Sequence, residues 1–154
     1  MPSLRPILLV EDNPNDVELT LSALKDMNIA NEIVVANDGD VALDYLYRRG
    51  RFAGRTEPQP AVVLLDLKMP RVDGRETLRL MRSDEQLRTI PVVIFTSSRE
   101  EQDVFETYRL GINAYVVKPV NFEDFVGAIT QLGMFWAVLN EPPPQKTAAP
   151  ASTR

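Results

Sequence analysis

The sequence predicts an α/β protein built on a doubly wound, five-stranded parallel sheet with helices on both faces. Three observations carry this. Five short apolar runs alternate with stretches of helical spacing or helix-start chemistry. The runs are apolar almost throughout rather than alternating with polar residues, as in strands covered on both faces. Polar residues with chemical potential follow the runs, at the carboxyl ends where such sheets bind ligands.

Ile7-Leu8-Leu9-Val10 is the first strand and ends at Glu11-Asp12. Asn13-Pro14 starts a helix, with Asn13 as N-cap and Pro14 at the first helical position, followed by Val17, Leu21 and Leu24 at helical spacing. Ile33-Val34-Val35-Ala36 is the second strand. Asn37-Asp38-Gly39 turns into a helix through about Arg49, with Val41, Ala42, Tyr45 and Leu46 on one face. Residues 48–60 are rich in Arg, Gly and Pro and read as a long loop, with Arg48, Arg49, Arg51 and Arg55 in solvent.

Ala61-Val62-Val63-Leu64-Leu65 is the third strand and delivers Asp66. A helix through Leu78 and Met81 comes next, after an Asp73-Gly74 turn. Pro91-Val92-Val93-Ile94-Phe95-Thr96 is the fourth strand, and a helix from Glu100 to Leu110 is stopped by Gly111. Ala114-Tyr115-Val116-Val117 is the fifth strand, followed by Lys118-Pro119. The last helix spans about 122–139, with Phe122, Phe125, Val126, Ile129, Leu132 and Trp136 as its apolar stripe. Phe135 and Trp136 cannot both lie on that stripe, so aromatic surface is left over. Residues 1–140 form one domain, and 141–154, opening on a Pro-rich stretch, form a flexible tail.

Composition narrows the function. Hydrophobic residues make up 44% and charged residues 25%, which is globular rather than disordered. A net charge of -5 argues against a nucleic-acid footprint, which is basic. With no Cys, disulfides, thiol chemistry and Cys-based zinc sites are excluded. With no His, so are a Ser-His-Asp triad and a His-based metal site, and any phosphohistidine must come from another protein. No apolar run reaches the ~20 residues of a membrane span, and the N-terminus lacks the apolar core of a signal peptide. The expectation is a cytoplasmic protein.

In a sheet of order 2-1-3-4-5 the first and third strands are neighbours at the switch point, which brings Asp12 and Asp66 together. Crowded carboxylates repel unless a cation or proton joins them. Hard oxygen ligands suit Mg²⁺, with Mn²⁺ as a substitute. The hydroxyl of Thr96 and the ammonium of Lys118 complete a pocket for a phosphoryl group.

These residues resemble the receiver domain of bacterial two-component response regulators, which has a flavodoxin-like fold. The resemblance covers roughly residues 5–139. It rests on Glu11-Asp12, on Asp66 with Met69-Pro70 and Asp73-Gly74 downstream, and on Thr96, Tyr115 and Lys118-Pro119 at matching spacing. It implies that Asp66 takes a phosphoryl group from a phosphohistidine on a sensor histidine kinase. It also implies that Glu11, Asp12, Asp66 and the backbone carbonyl of Lys68 hold Mg²⁺, and that Thr96 and Lys118 meet the phosphoryl oxygens. Thr96 and Tyr115 would then reshape the surface of the fourth helix, fifth strand and fifth helix, and the Lys118–Pro119 peptide would be cis. The long loop and the apolar end of the last helix resemble the stand-alone receivers that serve bacterial and cyanobacterial phytochrome kinases. A homodimer is expected, involving Tyr115, Phe135 and Trp136, with output through a downstream protein or phosphotransfer partner. Two other readings compete. A degenerate receiver acting as a binding scaffold is disfavoured by the full set of site residues. An aspartate-nucleophile phosphatase is disfavoured because Lys68 stands where an acid/base carboxyl is needed.

Overall fold

The computed structural model describes residues 4–69 and 71–144. Pro70 and most of the expected tail, residues 145–154, lie outside the described residues. The chain alternates β1 (Ile7–Val10), α1 (Pro14–Asp26), β2 (Ile33–Ala36), α2 (Gly39–Tyr47), β3 (Val62–Leu65), α3 (Gly74–Ser83), β4 (Val92–Thr96), α4 (Glu101–Arg109), β5 (Ala114–Val117) and α5 (Phe122–Leu132). All strand pairs are parallel and the order is β2-β1-β3-β4-β5. The predicted architecture is the one observed.

Successive strand residues point to opposite faces, so one apolar run feeds two cores. Leu8, Val10, Val63, Leu65 and Ile94 pack with residues of α2 and α3 on one face. Ile7, Leu9, Val62, Leu64, Val93 and Phe95 pack with residues of α1 and α5 on the other. The unbroken apolar pattern is thus the consequence of burial on both sides.

The start of α1 follows the predicted chemistry. Asn13 accepts from the amides of Asn15 and Asp16 with Pro14 just inside α1. Asp73 caps α3 by accepting from the Glu76 amide. Gly74 is a forced choice: a Cβ there would lie 2.1 Å from the carbonyl oxygen of Asp66 and 2.8 Å from the Cα of Leu67. Its amide donates to the Leu67 carbonyl at 3.0 Å, closing the turn that carries Asp66.

Two expectations about the C-terminal helix are corrected, and the leftover aromatic surface is found as expected. The last α-helix ends at Leu132, and the chain continues through wider π-type turns from Gly133 to Leu139, where the Asn140 amide reaches back to the Phe135 carbonyl. Gly133 marks the close approach to α1, since a Cβ there would press on Leu24 and Met27. Phe122 is exposed rather than on the stripe, because it is the first residue of α5, beyond the sheet's cover. Trp136 packs inward beside Phe135, which is left half exposed.

The loop 48–60 contains a 3₁₀ turn at Gly50–Phe52, and Arg55 is buried rather than solvated. Its guanidinium stacks over the Tyr45 ring at 3.8 Å and donates to the Tyr45, Glu57 and Pro58 carbonyls and the Gln59 side chain. Five fixed donors let one Arg staple a loop that has few apolar residues of its own. Arg49 and Arg51 are exposed as expected. No helix among the described residues is long and apolar enough to cross a membrane.

Because Gly74 backs directly onto the main chain of Asp66, Gly74→Ala lowers stability by about 1–3 kcal/mol in urea unfolding. An unchanged midpoint contradicts the close approach.

Candidate functional site

The switch point juxtaposes the ends of β1 and β3, with the Asp66 amide donating to the Val10 carbonyl at 3.1 Å. Glu11, Asp12 and Asp66 consequently converge, each offering one carboxylate oxygen within 4.8 Å of the others. Glu11 and Asp66 are buried and Asp12 is exposed, so the cluster opens to solvent on one side. One oxygen of Asp66 accepts from the Leu67 amide at 2.8 Å. The other faces the Lys118 ammonium at 3.3 Å.

Lys118 leaves β5 and is tied to β4 by its amide, which donates to the Thr96 carbonyl at 2.7 Å. Its buried ammonium also donates to Glu11 at 2.7 Å and to Asp16 at 2.8 Å. Burial pushes the Glu11 carboxyl up to about 7, with the Asp66 charge adding to this and the Lys118 ammonium opposing it. Burial also works against the Lys118 charge, yet the hydrogen bonds it donates to Asp16 and Glu11 hold its pKa above the usual lysine range.

Thr96 is fully buried at the end of β4, where its hydroxyl accepts from the Ser98 amide at 3.4 Å. The Ser98 hydroxyl donates to Asp103 of α4 at 2.6 Å, and the Tyr115 hydroxyl donates to the Ser98 carbonyl at 3.0 Å. Asp103 pairs with Arg75 of α3 at 3.5 Å, and Arg75 pairs with Glu106 at 2.8 Å. A pocket of about 270 Å³ opens here, lined by Asp12, Lys68, Met69, Asp73, Arg75 and Asp103 among others.

Glu11, Asp12, Asp66 and Lys118 are therefore brought into one cluster. Lys68 stands at the pocket mouth with its side chain in solvent. Tyr115 is half-buried, and Phe135 and Trp136 belong to the α5 extension. The Lys118–Pro119 peptide, expected cis, is trans. Trans is the intrinsically favoured isomer, by about 0.5–1 kcal/mol, and every Lys118 contact above is made with it. Sequence reasoning missed Asp16 and the Ser98–Asp103–Arg75 chain. Asp16 stands three residues past the Asn13 cap, in the first turn of α1, a place that the helix dipole alone explains for an acid.

The chain matches the response regulator receiver domain over residues 7–130. It belongs to that family. Response regulator Rcp1 of Synechocystis sp. is 37% identical over 130 residues, spanning 84% of this chain and 87% of that protein. A crystal structure of the Mn²⁺-bound form of Rcp1 has a TM-score of 0.85 at 35% identity, covering 91% of this receiver and 99% of the other chain. The phosphorylated cyanobacterial phytochrome response regulator RcpA gives 0.86 at 35%, covering 92% and 100%. The bacteriophytochrome response regulator RtBRR is 61% identical with a TM-score of 0.74, covering 92% and 86%. This receiver thus resembles phytochrome response regulators.

The raised pKa of Glu11 has a sign in stability. An acid whose pKa rises on folding contributes stability fully below its unfolded value of 4.5, and the contribution is lost as pH climbs through about 7. In metal-free protein, wild type therefore loses on the order of 2 kcal/mol relative to Glu11→Gln between pH 5 and pH 8. Urea midpoints that stay parallel across that range contradict this.

Proposed function

We propose that this receiver accepts a phosphoryl group on Asp66 from the phosphohistidine of a sensor histidine kinase. The observation that carries the reading is the Asp66 carboxylate, buried at a strand end, with an ammonium at 3.3 Å and two further carboxylates clustered beside it. The acceptor chain has no His, so the donor imidazole belongs to a partner.

In the transfer, an Asp66 oxygen attacks phosphorus, the P–N bond to the imidazole breaks, and an acyl phosphate forms. Such transfer depends on positioning and charge neutralisation more than on covalent help from the protein. Lys118 is the chain's own neutralising group, and Thr96 supplies a hydroxyl for a phosphoryl oxygen. Glu11, Asp12, Asp66 and the Lys68 carbonyl would hold Mg²⁺ or Mn²⁺, which supplies the charge that offsets repulsion between Asp66 and the incoming phosphoryl group. The donor set fits: hard oxygens, mixed burial and an open side toward solvent. The Mn²⁺-bound Rcp1 and phosphorylated RcpA support the same reading.

The output runs from Thr96 through Ser98 to α4 and Tyr115, so phosphorylation alters the α4-β5-α5 face. The resemblance to phytochrome regulators favours a phytochrome-type kinase as donor, acting in the cytoplasm. Phe105 and Tyr108 on α4 and Phe135 beyond α5 leave aromatic surface exposed, which supports a homodimer or a downstream protein partner.

Incubated with a phosphorylated sensor kinase and Mg²⁺, wild type takes up label within seconds to minutes, and Asp66→Asn takes up none. Equal labelling of the two proteins overturns the assignment. For the dimer, light-scattering mass rises with concentration and Phe135→Asp holds the protein at the monomer mass. A monomer mass for wild type at every concentration rules it out.

A further inference from the structure

Lys118 has a partner that the phosphoacceptor reading leaves unused. Asp16 lies in the first turn of α1, far from Lys118 in sequence, and its carboxylate accepts from the Lys118 ammonium at 2.8 Å. Glu11 accepts at 2.7 Å, and Asp66 stands farther off at 3.3 Å. An ammonium has three donors, and here three carboxylates take them. The contact with Asp66 is the longest of the three, so the cation rests nearer β1 and α1 than the atom it serves. Glu11 and Asp66 belong to the acidic cluster beside Asp12, and Asp16 does not. Asp16 is also partly open to solvent, on the wall of a pocket of about 330 Å³ shared with Lys118, Pro119 and Phe122.

We propose that Asp16 is a positioning residue that holds the Lys118 ammonium toward α1 and so limits how tightly a phosphoryl group is held on Asp66. The inference rests on Asp66 being the phosphoacceptor. A phosphoryl oxygen that approaches Lys118 must draw it from an existing partner. It must also tolerate the Asp16 charge on the far side of the same ammonium. Competition and repulsion act in one direction: both weaken the hold on the phosphoryl group. Asp16→Asn keeps an oxygen acceptor and removes the charge, and Asp16→Ala removes both.

The test uses the full chain with beryllofluoride, an acyl-phosphate mimic, in saturating Mg²⁺. Calorimetry gives about tenfold tighter binding for Asp16→Asn and Asp16→Ala than for wild type, and the acyl phosphate decays correspondingly more slowly. In metal-free protein, solvent exchange of the Lys118 ammonium protons, read by NMR, is several-fold faster in Asp16→Ala. A merely structural role for Asp16 moves neither reading this way. Unchanged or weaker binding in both variants overturns the proposal, as does tighter binding with unchanged proton exchange. If wild type itself fails to bind beryllofluoride, the phosphoacceptor reading falls and this inference falls with it. If wild type binds and the Asp16 variants match it, only this inference fails.

Discussion

One buried ammonium shared among carboxylates from β1, α1 and the end of β3 is the interaction on which the site depends. Lys118 meets Glu11, Asp16 and Asp66, with Asp12 close by. Four acids around one buried base leave this cluster short of positive charge. Glu11 answers by holding its proton more firmly, because burial raises its pKa toward 7. The same shortage makes the pocket receptive to a hard divalent cation. An isolated buried carboxylate would be costly, and an isolated buried lysine equally so. Together they are tolerable, and the excess negative charge is what gives the cluster its chemistry.

The fold supplies this geometry through parallel strands that all end on one side. β1, β3 and β5 deliver Glu11-Asp12, Asp66 and Lys118, while α1 brings Asp16 back across the top of β1. Backbone contacts fix the positions: Asp66 hangs from the Val10 carbonyl, Lys118 from the Thr96 carbonyl, and Gly74 lies against Asp66 with no room for a side chain. Two apolar cores, one on each face of the sheet, hold these ends in register. From Thr96 a polar chain runs outward through Ser98 to Asp103 and Arg75, with Tyr115 on the Ser98 carbonyl. Lys118 links this chain to Asp66, with its amide on the Thr96 carbonyl and its ammonium 3.3 Å from the Asp66 carboxylate.

What the sequence made legible follows from period and punctuation. Ile7 to Val10 and Val62 to Leu65 read as doubly covered strands because their apolar runs have no polar face. Asn13-Pro14 reads as a helix start, and Asp73-Gly74 as a turn, because their chemistry is local; that Asp73 also caps α3 is seen only in the fold. Glu11, Asp12, Asp66 and Lys118 could be placed together once the strand order was assumed. Asp16 was not legible, because an acid in a first turn is equally explained by the helix dipole. Arg55 was not legible, because arginine in a Gly- and Pro-rich loop is usually solvated; its burial depends on the Tyr45 ring and carbonyls gathered by the fold. The Lys118–Pro119 bond is trans, the isomer an X–Pro bond favours without tertiary help; the cis expectation came from the family resemblance and not from local chemistry. The widened turns after Leu132 arise where Gly133 presses on α1, a contact between distant segments.

The central claim is that Asp66 becomes an acyl phosphate, and reductive trapping tests it at the atom concerned. Borohydride reduces an acyl phosphate on aspartate to homoserine, which peptide mass spectrometry locates by residue. After treatment with a phosphodonor and Mg²⁺, the account predicts homoserine at position 66 and aspartate or glutamate intact at 11, 12 and 16. No conversion, or conversion at another carboxylate with Asp66 intact, contradicts it.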